Sequence, residues 1–95
     1  MEMNANKSLT VLIPFYNEER TLPELVRQLS ELPSDVVNKV IFVNDGSTDG
    51  SLALLETALT TSNLPHAIIN KSNGGKASAI KVGASNLETS HVVIL

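Results

Sequence analysis

Lys39-Val40-Ile41-Phe42-Val43-Asn44-Asp45-Gly46-Ser47-Thr48-Asp49-Gly50-Ser51 is the stretch that decides how this chain folds. Val40 to Val43 is continuously apolar and does not alternate, which suits a strand covered on both faces, as in a parallel sheet. Turn residues follow from Asn44 to Ser51. Leu52, Leu55, Ala58 and Leu59 then recur at helical spacing, with Asp49 or Ser51 placed to cap that helix. A buried strand, a polar turn and a helix form the repeating unit of α/β domains.

The same unit recurs on either side. Leu9-Thr10-Val11-Leu12-Ile13, His66-Ala67-Ile68-Ile69 and His91-Val92-Val93-Ile94-Leu95 read as three further strands. Leu22, Leu25, Val26, Leu29 and Leu32 make one helical stripe, with Thr21 as its cap and Pro23 in its first turn. Ala77, Ile80, Ala84 and Leu87 make another, with small residues that permit close approach to a sheet. The order β-α-β-α-β-α-β predicts a three-layer α/β/α unit with right-handed crossovers and four parallel strands. A strand stopping at Leu95 with no helix after it is expected to belong to a longer protein. It would also leave an open edge carrying Val92, Val93 and Ile94, which invites pairing with another chain.

Composition narrows the chemistry. Ninety-five residues hold one domain at most, and the 42% hydrophobic, 18% charged make-up is that of a globular chain. A net charge of -3 and only three aromatic residues, Phe15, Tyr16 and Phe42, argue against a nucleic-acid partner. The absence of cysteine excludes a disulfide scaffold and a thiol nucleophile. Residues 1–7 read as a disordered polar terminus with no signal-peptide core, and no apolar run is long enough to span a bilayer, so a cytoplasmic location is expected.

In parallel α/β sheets ligands bind beyond the carboxyl ends of the strands. After the first strand stands Pro14-Phe15-Tyr16-Asn17-Glu18-Glu19-Arg20. Pro14 should end the strand. Tyr16 offers a ring face and Glu18 an acceptor, a pairing that favours binding, whereas Glu19 serves a helix N-terminus through its dipole. After the second strand, Asp45 is equally a ligand acceptor or part of an Asp-Gly turn. After the third, Gly74-Gly75 before a helix exposes N–H groups suited to an anion, and Lys76 adds charge, which would suit a diphosphate, although taken alone this loop reads rather as a solvated turn with a flexible lysine. Ala77 stands where a P-loop needs Ser or Thr, and the first turn lacks a dinucleotide fingerprint. Asp45, Ser47, Asp49, Gly50 and Glu56 match a calcium-loop spacing, but the element leading in reads as a strand rather than the helix an EF-hand requires.

Taken together, Pro14-Phe15-Tyr16-Asn17-Glu18, Asn44-Asp45-Gly46-Ser47-Thr48-Asp49 and Asn73-Gly74-Gly75-Lys76 with Ala79 and Gly83 resemble glycosyltransferase family 2. The resemblance runs from Ser8 to Leu95 and is most similar to transferases of the dolichyl- or polyprenyl-phosphate sugar type. It implies the N-terminal nucleotide-binding half of a GT-A domain over residues 8–95, with strand order 3-2-1-4. It implies a nucleotide-diphosphate sugar, UDP- or GDP-linked, as donor, and a lipid phosphate or saccharide as acceptor. Tyr16 would pack on the base beside Pro14, Glu18 would contact the nucleoside, and Asp45 would bind base or ribose. Gly46 and Ser47 would complete that loop's contacts, and Lys76 would lie near the diphosphate or base edge. Asn44 stands where many members carry a second Asp. The family's divalent cation, Mg or Mn, and its general base are expected to be held beyond Leu95, so these residues alone should be inactive and bind no cation. A longer parent would work in the cytoplasm or at the cytoplasmic face of a membrane. The alternative is a non-enzymatic nucleotide-binding or regulatory α/β module, although a receiver-type version would need Asp where Asn70 stands.

Overall fold

The computed structural model describes residues 9–33, 36–85, 87 and 91–95. The polar terminus expected over residues 1–7 lies outside them. The elements alternate as expected: β1 (Leu9–Phe15), α1 (Leu22–Ser30), β2 (Val37–Asp45), α2 (Ser51–Thr60), β3 (His66–Lys71), α3 (Lys76–Ala84) and β4 (His91–Ile94). All pairings are parallel, and the four-stranded sheet runs β3-β2-β1-β4. No described helix is long and apolar enough to cross a membrane.

The alternation of side chains along β1 and β2 divides the core into two layers. Val11, Ile13 and Phe15 join Val40 and Phe42 on one face, under Leu22, Val26 and Leu29 of α1 and Leu55 and Leu59 of α2. Leu12, Ile41 and Val43 point the other way and meet Ala79 of α3. Both faces are thus covered, which is why these strands read as unbroken apolar runs.

Three local expectations are corrected. Pro14 does not end β1: it stays in register with Val43, and Phe15 with Asn44. The Leu12 carbonyl accepts from Leu95 N–H on the β4 side. Residues two apart face the same neighbour, so the N–H that Pro14 lacks would also point there, past the end of the β4 pairing at Ile94. Leu32 does not join the α1 stripe. The helix stops at Ser30 because Pro33 disfavours a helical Leu32, and Leu32 is exposed. On α3 the buried face is Ala79 and Gly83, while Ala77 and Ala84 are exposed and Ile80 and Leu87 only partly covered. Hydrophobicity ranks these alanines alike, and only the crossing of α3 over Leu12 and Val43 separates them.

The expected caps also differ. Thr21 is the N-cap residue of α1, but its hydroxyl makes no cap hydrogen bond; it donates to the Glu18 carboxylate at 2.8 Å. Gly50 is the N-cap of α2, and Asp49 instead accepts from the Ser51 N–H at 2.9 Å. The element entering that loop is strand β2, and Glu56 sits within α2, so the calcium-loop spacing belongs to a strand-turn-helix. At the sheet edge, Val92, Val93 and Ile94 of β4 are exposed.

Candidate functional site

The carboxyl ends of β1 and β2 carry polar residues where the apolar runs stop. Register explains what they do. Asn44 lies opposite Asn70, and Asp45 opposite Lys71. Side chains alternate, so the first pair falls on the α1/α2 face and the second on the α3 face.

On the first face Asn44 Nδ2 donates to Asn70 Oδ1 at 3.0 Å, and Asn44 Oδ1 accepts from Ser47 N–H at 3.0 Å. Ser47 Oγ in turn accepts from Asn17 N–H at 3.0 Å. Asn17 then accepts from the N–H groups of Thr48 at 2.8 Å and Asp49 at 3.3 Å. Its φ of 53° lies in the left-handed region, which Asn tolerates better than most residues. Glu18 N–H donates to Ser51 Oγ at 2.7 Å, and Glu19 Oε1 accepts from Gly50 N–H at 2.9 Å. The β1–α1 loop is therefore stitched onto the start of α2. Glu19 does serve a helix N-terminus, but that of α2 rather than of α1, which follows it.

On the other face Asp45 is buried, only 4% exposed, and both of its carboxylate oxygens accept hydrogen bonds. Its Oδ1 accepts from Lys71 Nζ at 2.7 Å and Gly74 N–H at 3.0 Å. Its Oδ2 accepts from Gly75 N–H at 2.8 Å. Its carbonyl takes Asn73 Nδ2 at 2.9 Å. The hydrogen bond from Lys71 holds the carboxyl below the usual carboxylate range, against the desolvation that would raise it; the Gly74 and Gly75 N–H groups and the Lys71 charge add to the lowering. This corrects the expectation for the paired glycines. Their N–H groups do meet an anion at a helix N-terminus, but that anion is Asp45 of the same chain. Gly46 is part of the same closure: its φ is +75°, and a Cβ there would sit 2.6 Å from Asn73 N. Only glycine lets the two loops meet this closely.

A cavity of about 260 Å³ opens beside this clasp, lined by Pro14, Phe15, Tyr16, Glu18, Asp45, Lys76, Ala79 and Leu95. Five of the seven residues singled out from sequence thus come to one place: Pro14 from β1, Tyr16 and Glu18 from the β1–α1 loop, Asp45 from the end of β2 and Lys76 from the start of α3. Gly46 and Ser47 are not among the lining residues; they shape and tie the loops behind it. Sequence reasoning missed Asn17 and Lys71. Asn17 hides in a polar loop where nothing marks its partners. Lys71 does leave a trace: Asn70-Lys71 follows its apolar run at the same offset as Asn44-Asp45, as the parallel register requires.

Among the described residues no three His, Asp or Glu side chains converge as a metal-ligand group, and Asp45 faces an ammonium.

The sequence model of glycosyl transferase family 2 matches residues 10–95. The chain belongs to this family. Among curated family members it is 34% identical over 90 residues to the undecaprenyl-phosphate 4-deoxy-4-formamido-L-arabinose transferase of Pseudomonas fluorescens, covering 92% of this chain and 26% of that protein. The protein of the same description from Sodalis glossinidius is 35% identical over 91 residues, covering 92% and 28%. The family 2 chain thus spans about a quarter of the length of these relatives. Among solved structures, a mannosyltransferase from Pyrobaculum calidifontis in complex with GDP-Man and Mn2+ superimposes with a TM-score of 0.74 at 26% identity, over 85% of this chain and 24% of that one. TarS from S. aureus superimposes with 0.73 at 27% identity, over 93% and 26%. The sheet order and layers are those of the GT-A fold.

Proposed function

We propose that these residues form the donor-nucleotide half of a family 2 glycosyltransferase, holding the nucleotide of a UDP- or GDP-sugar in the cavity beside Tyr16. The observation that carries this is the convergence of Pro14, Tyr16, Glu18, Asp45 and Lys76 on one cavity from three strand-to-helix segments of the chain. A base needs an apolar face and an edge acceptor; Tyr16 with Pro14 supplies the first, and the carboxylates supply the second. Lys76 supplies positive charge for a diphosphate. The cavity is smaller than the roughly 300–1,000 Å³ typical of small-molecule sites, which suits the nucleoside rather than the whole donor.

The protein of which these residues are part would transfer the sugar to an acceptor such as a polyprenyl phosphate or a saccharide, in the cytoplasm or at the cytoplasmic face of a membrane. The relatives described as undecaprenyl-phosphate transferases support the lipid-phosphate version. The neighbour solved with GDP-Man and Mn2+ supports a nucleotide sugar and a divalent cation. That cation would need ligands other than the residues described, and the 95 residues alone are expected to transfer no sugar. The exposed β4 edge would pair with a second copy, so light scattering at high concentration should detect a species larger than a monomer, and a clean monomer counts against it.

The deciding experiment is an amide NMR titration of the chain with UDP, GDP and ADP, with and without manganese. Shifts clustered at Tyr16, Asp45 and Lys76 for one nucleotide are expected. Tyr16→Ala should weaken that binding about 10- to 100-fold, the range for loss of a base–aromatic stack. A dispersed spectrum with no shifts at millimolar nucleotide would reject the site.

A further inference from the structure

We propose that Asn73-Gly74 is a spontaneous deamidation site governed by the Asp45 clasp: the pair reacts only while the clasp is open, and the product cannot close it again. The inference stands apart from the nucleotide reading, because it concerns the lifetime of the clasp itself. Asn73 is the only asparagine of the chain followed by glycine. Glycine leaves its own nitrogen unshielded, so the Gly74 nitrogen can attack the carbonyl carbon of the Asn73 side chain. A C–N bond then closes a cyclic imide. The bond from that carbon to Nδ2 breaks, and Nδ2 leaves as ammonia with the proton from the Gly74 N–H. Water opens either C–N bond of the ring, which leaves aspartate or isoaspartate at position 73.

Asp45 holds both reacting groups. Gly74 N–H donates to Asp45 Oδ1 at 3.0 Å, while Asn73 Nδ2 donates to the Asp45 carbonyl at 2.9 Å and reaches Oδ2 at 3.5 Å. Attack requires the Gly74 nitrogen to shed its proton and turn toward the Asn73 side chain. The hydrogen bond from Lys71 keeps the Asp45 carboxyl low and therefore ionised at neutral pH, and a negative charge beside the Gly74 nitrogen opposes its deprotonation. The main chain is also pinned from behind, since a Cβ on Gly46 would come 2.6 Å from Asn73 N. Asn73 and Gly74 are nevertheless exposed, so water reaches them without global unfolding. The clasp itself imposes this fragile pair. Asparagine supplies the donor to the Asp45 carbonyl, and a Cβ on Gly74 would crowd Ser78 Oγ at 2.9 Å and Lys71 Nζ at 3.1 Å. After the reaction the Nδ2 donor is gone and a second carboxylate faces that of Asp45. Isoaspartate also lengthens the main chain ahead of the Gly74 and Gly75 N–H groups, so neither product rebuilds the clasp.

The test follows Asn73 by mass spectrometry in the tryptic peptide of residues 72–76, for the wild type and Asp45→Asn, each held at mildly alkaline pH in buffer and in guanidinium chloride. The folded wild type should deamidate about 10- to 100-fold more slowly than the unfolded chain, the range for one hydrogen bond to a charged group. Exchange of the Gly74 N–H with solvent, read by NMR at the same pH, should be slowed by the same factor, because one local opening admits both reactions. Asp45→Asn, folded by the criterion of a dispersed spectrum, should deamidate at close to the unfolded rate. The deamidated wild type, separated by its added charge, should have lost protection at Gly74. A folded wild type that deamidates as fast as the unfolded chain overturns the inference. So does one whose slowing and Gly74 protection differ by more than about tenfold, since protection would then come from the fold at large. Both results are read on the wild type and do not depend on a variant folding. A folded Asp45→Asn as slow as the wild type overturns it as well, as does a deamidated chain that keeps Gly74 protected. None of these measurements involves a nucleotide, so this inference and the nucleotide reading fail separately.

Discussion

Asp45→Asn is expected to abolish detectable nucleotide binding at concentrations that saturate the wild type, and to lower the unfolding midpoint more than any other single polar change. The substitution is isosteric, so packing is preserved and only hydrogen-bond polarity changes. One carboxylate oxygen becomes an NH2 group, and every neighbour is a donor: the Lys71 ammonium and the Gly74 and Gly75 N–H groups. Whichever way the amide turns, a donor faces a donor, and Lys71 loses its counter-charge in a largely buried place. The loop that presents Lys76 is then released, and the acceptor proposed for the base is lost with it. Loss of a charge-assisted hydrogen bond alone corresponds to roughly 10- to 100-fold in affinity. Calorimetry with UDP and a thermal melt read the two effects. Wild-type affinity and an unchanged melt would show that the clasp is incidental.

The same group predicts a pH dependence. The folded Asp45 carboxyl lies below its ordinary value. For Asp49 burial works upward, but the hydrogen bonds from Ser51 and the neighbouring backbone outweigh it, and this carboxyl is lowered too. The unfolded chain therefore takes up protons first as pH falls. The stabilisation is complete above the unfolded carboxylate value of about 4 and is lost as pH drops through the folded values. Urea midpoints should be level from pH 5 to 7 and fall below pH 4, and the fall should be shallower in Asp45→Asn, which has one such carboxylate fewer.

The second large effect lies in the core. Gly83 stands within α3, where alanine would ordinarily be favoured by about 1 kcal/mol. Here the sign reverses. A Cβ at this position would lie 2.2 Å from Leu12 Cδ1, 3.2 Å from its Cδ2 and 3.1 Å from Val43 Cγ2. Leu12 and Val43 are fully buried and cannot retreat. Overpacking of this kind costs about 1–3 kcal/mol, which exceeds the propensity gain. Gly83→Ala should therefore be destabilised, and Gly83→Val should lose its cooperative transition, because α3 would be lifted off the sheet. Ala84→Gly, one position along at the exposed last residue of α3, should cost less than the roughly 1 kcal/mol of a helix interior. Urea denaturation compares all three, and a Gly83→Ala chain more stable than wild type would refute the packing argument.

These arguments show what could be read before any coordinates. Val40 to Val43, Leu9 to Ile13 and their relatives carried the strand assignments because a strand buried on both faces has to be apolar throughout. Turn chemistry at Asp45-Gly46 and Gly74-Gly75 marked the loops at the strand ends, and the expectation that Pro14, Tyr16, Glu18, Asp45 and Lys76 lie near one another rested on their places after the strands together with the family resemblance. The stripe on α3 was misread because alanine looks alike on either side of a helix, and Pro14 was misread because a missing N–H matters only if a partner strand reaches it.

The sequence by itself determined the order of strands and helices, the α/β class and the loops that meet at the sheet's carboxyl edge, since each follows from local periodicity and turn residues. Only the tertiary structure decided which groups those loops would spend on one another. The Gly74 and Gly75 N–H groups, legible as an anion site, are taken by Asp45, and Lys71 enters the site only because the register sets it opposite that carboxylate. Hydrogen-bond valence is filled by whatever neighbour the fold delivers, and neighbours 26 to 30 residues apart are set by register and crossover rather than by any local pattern.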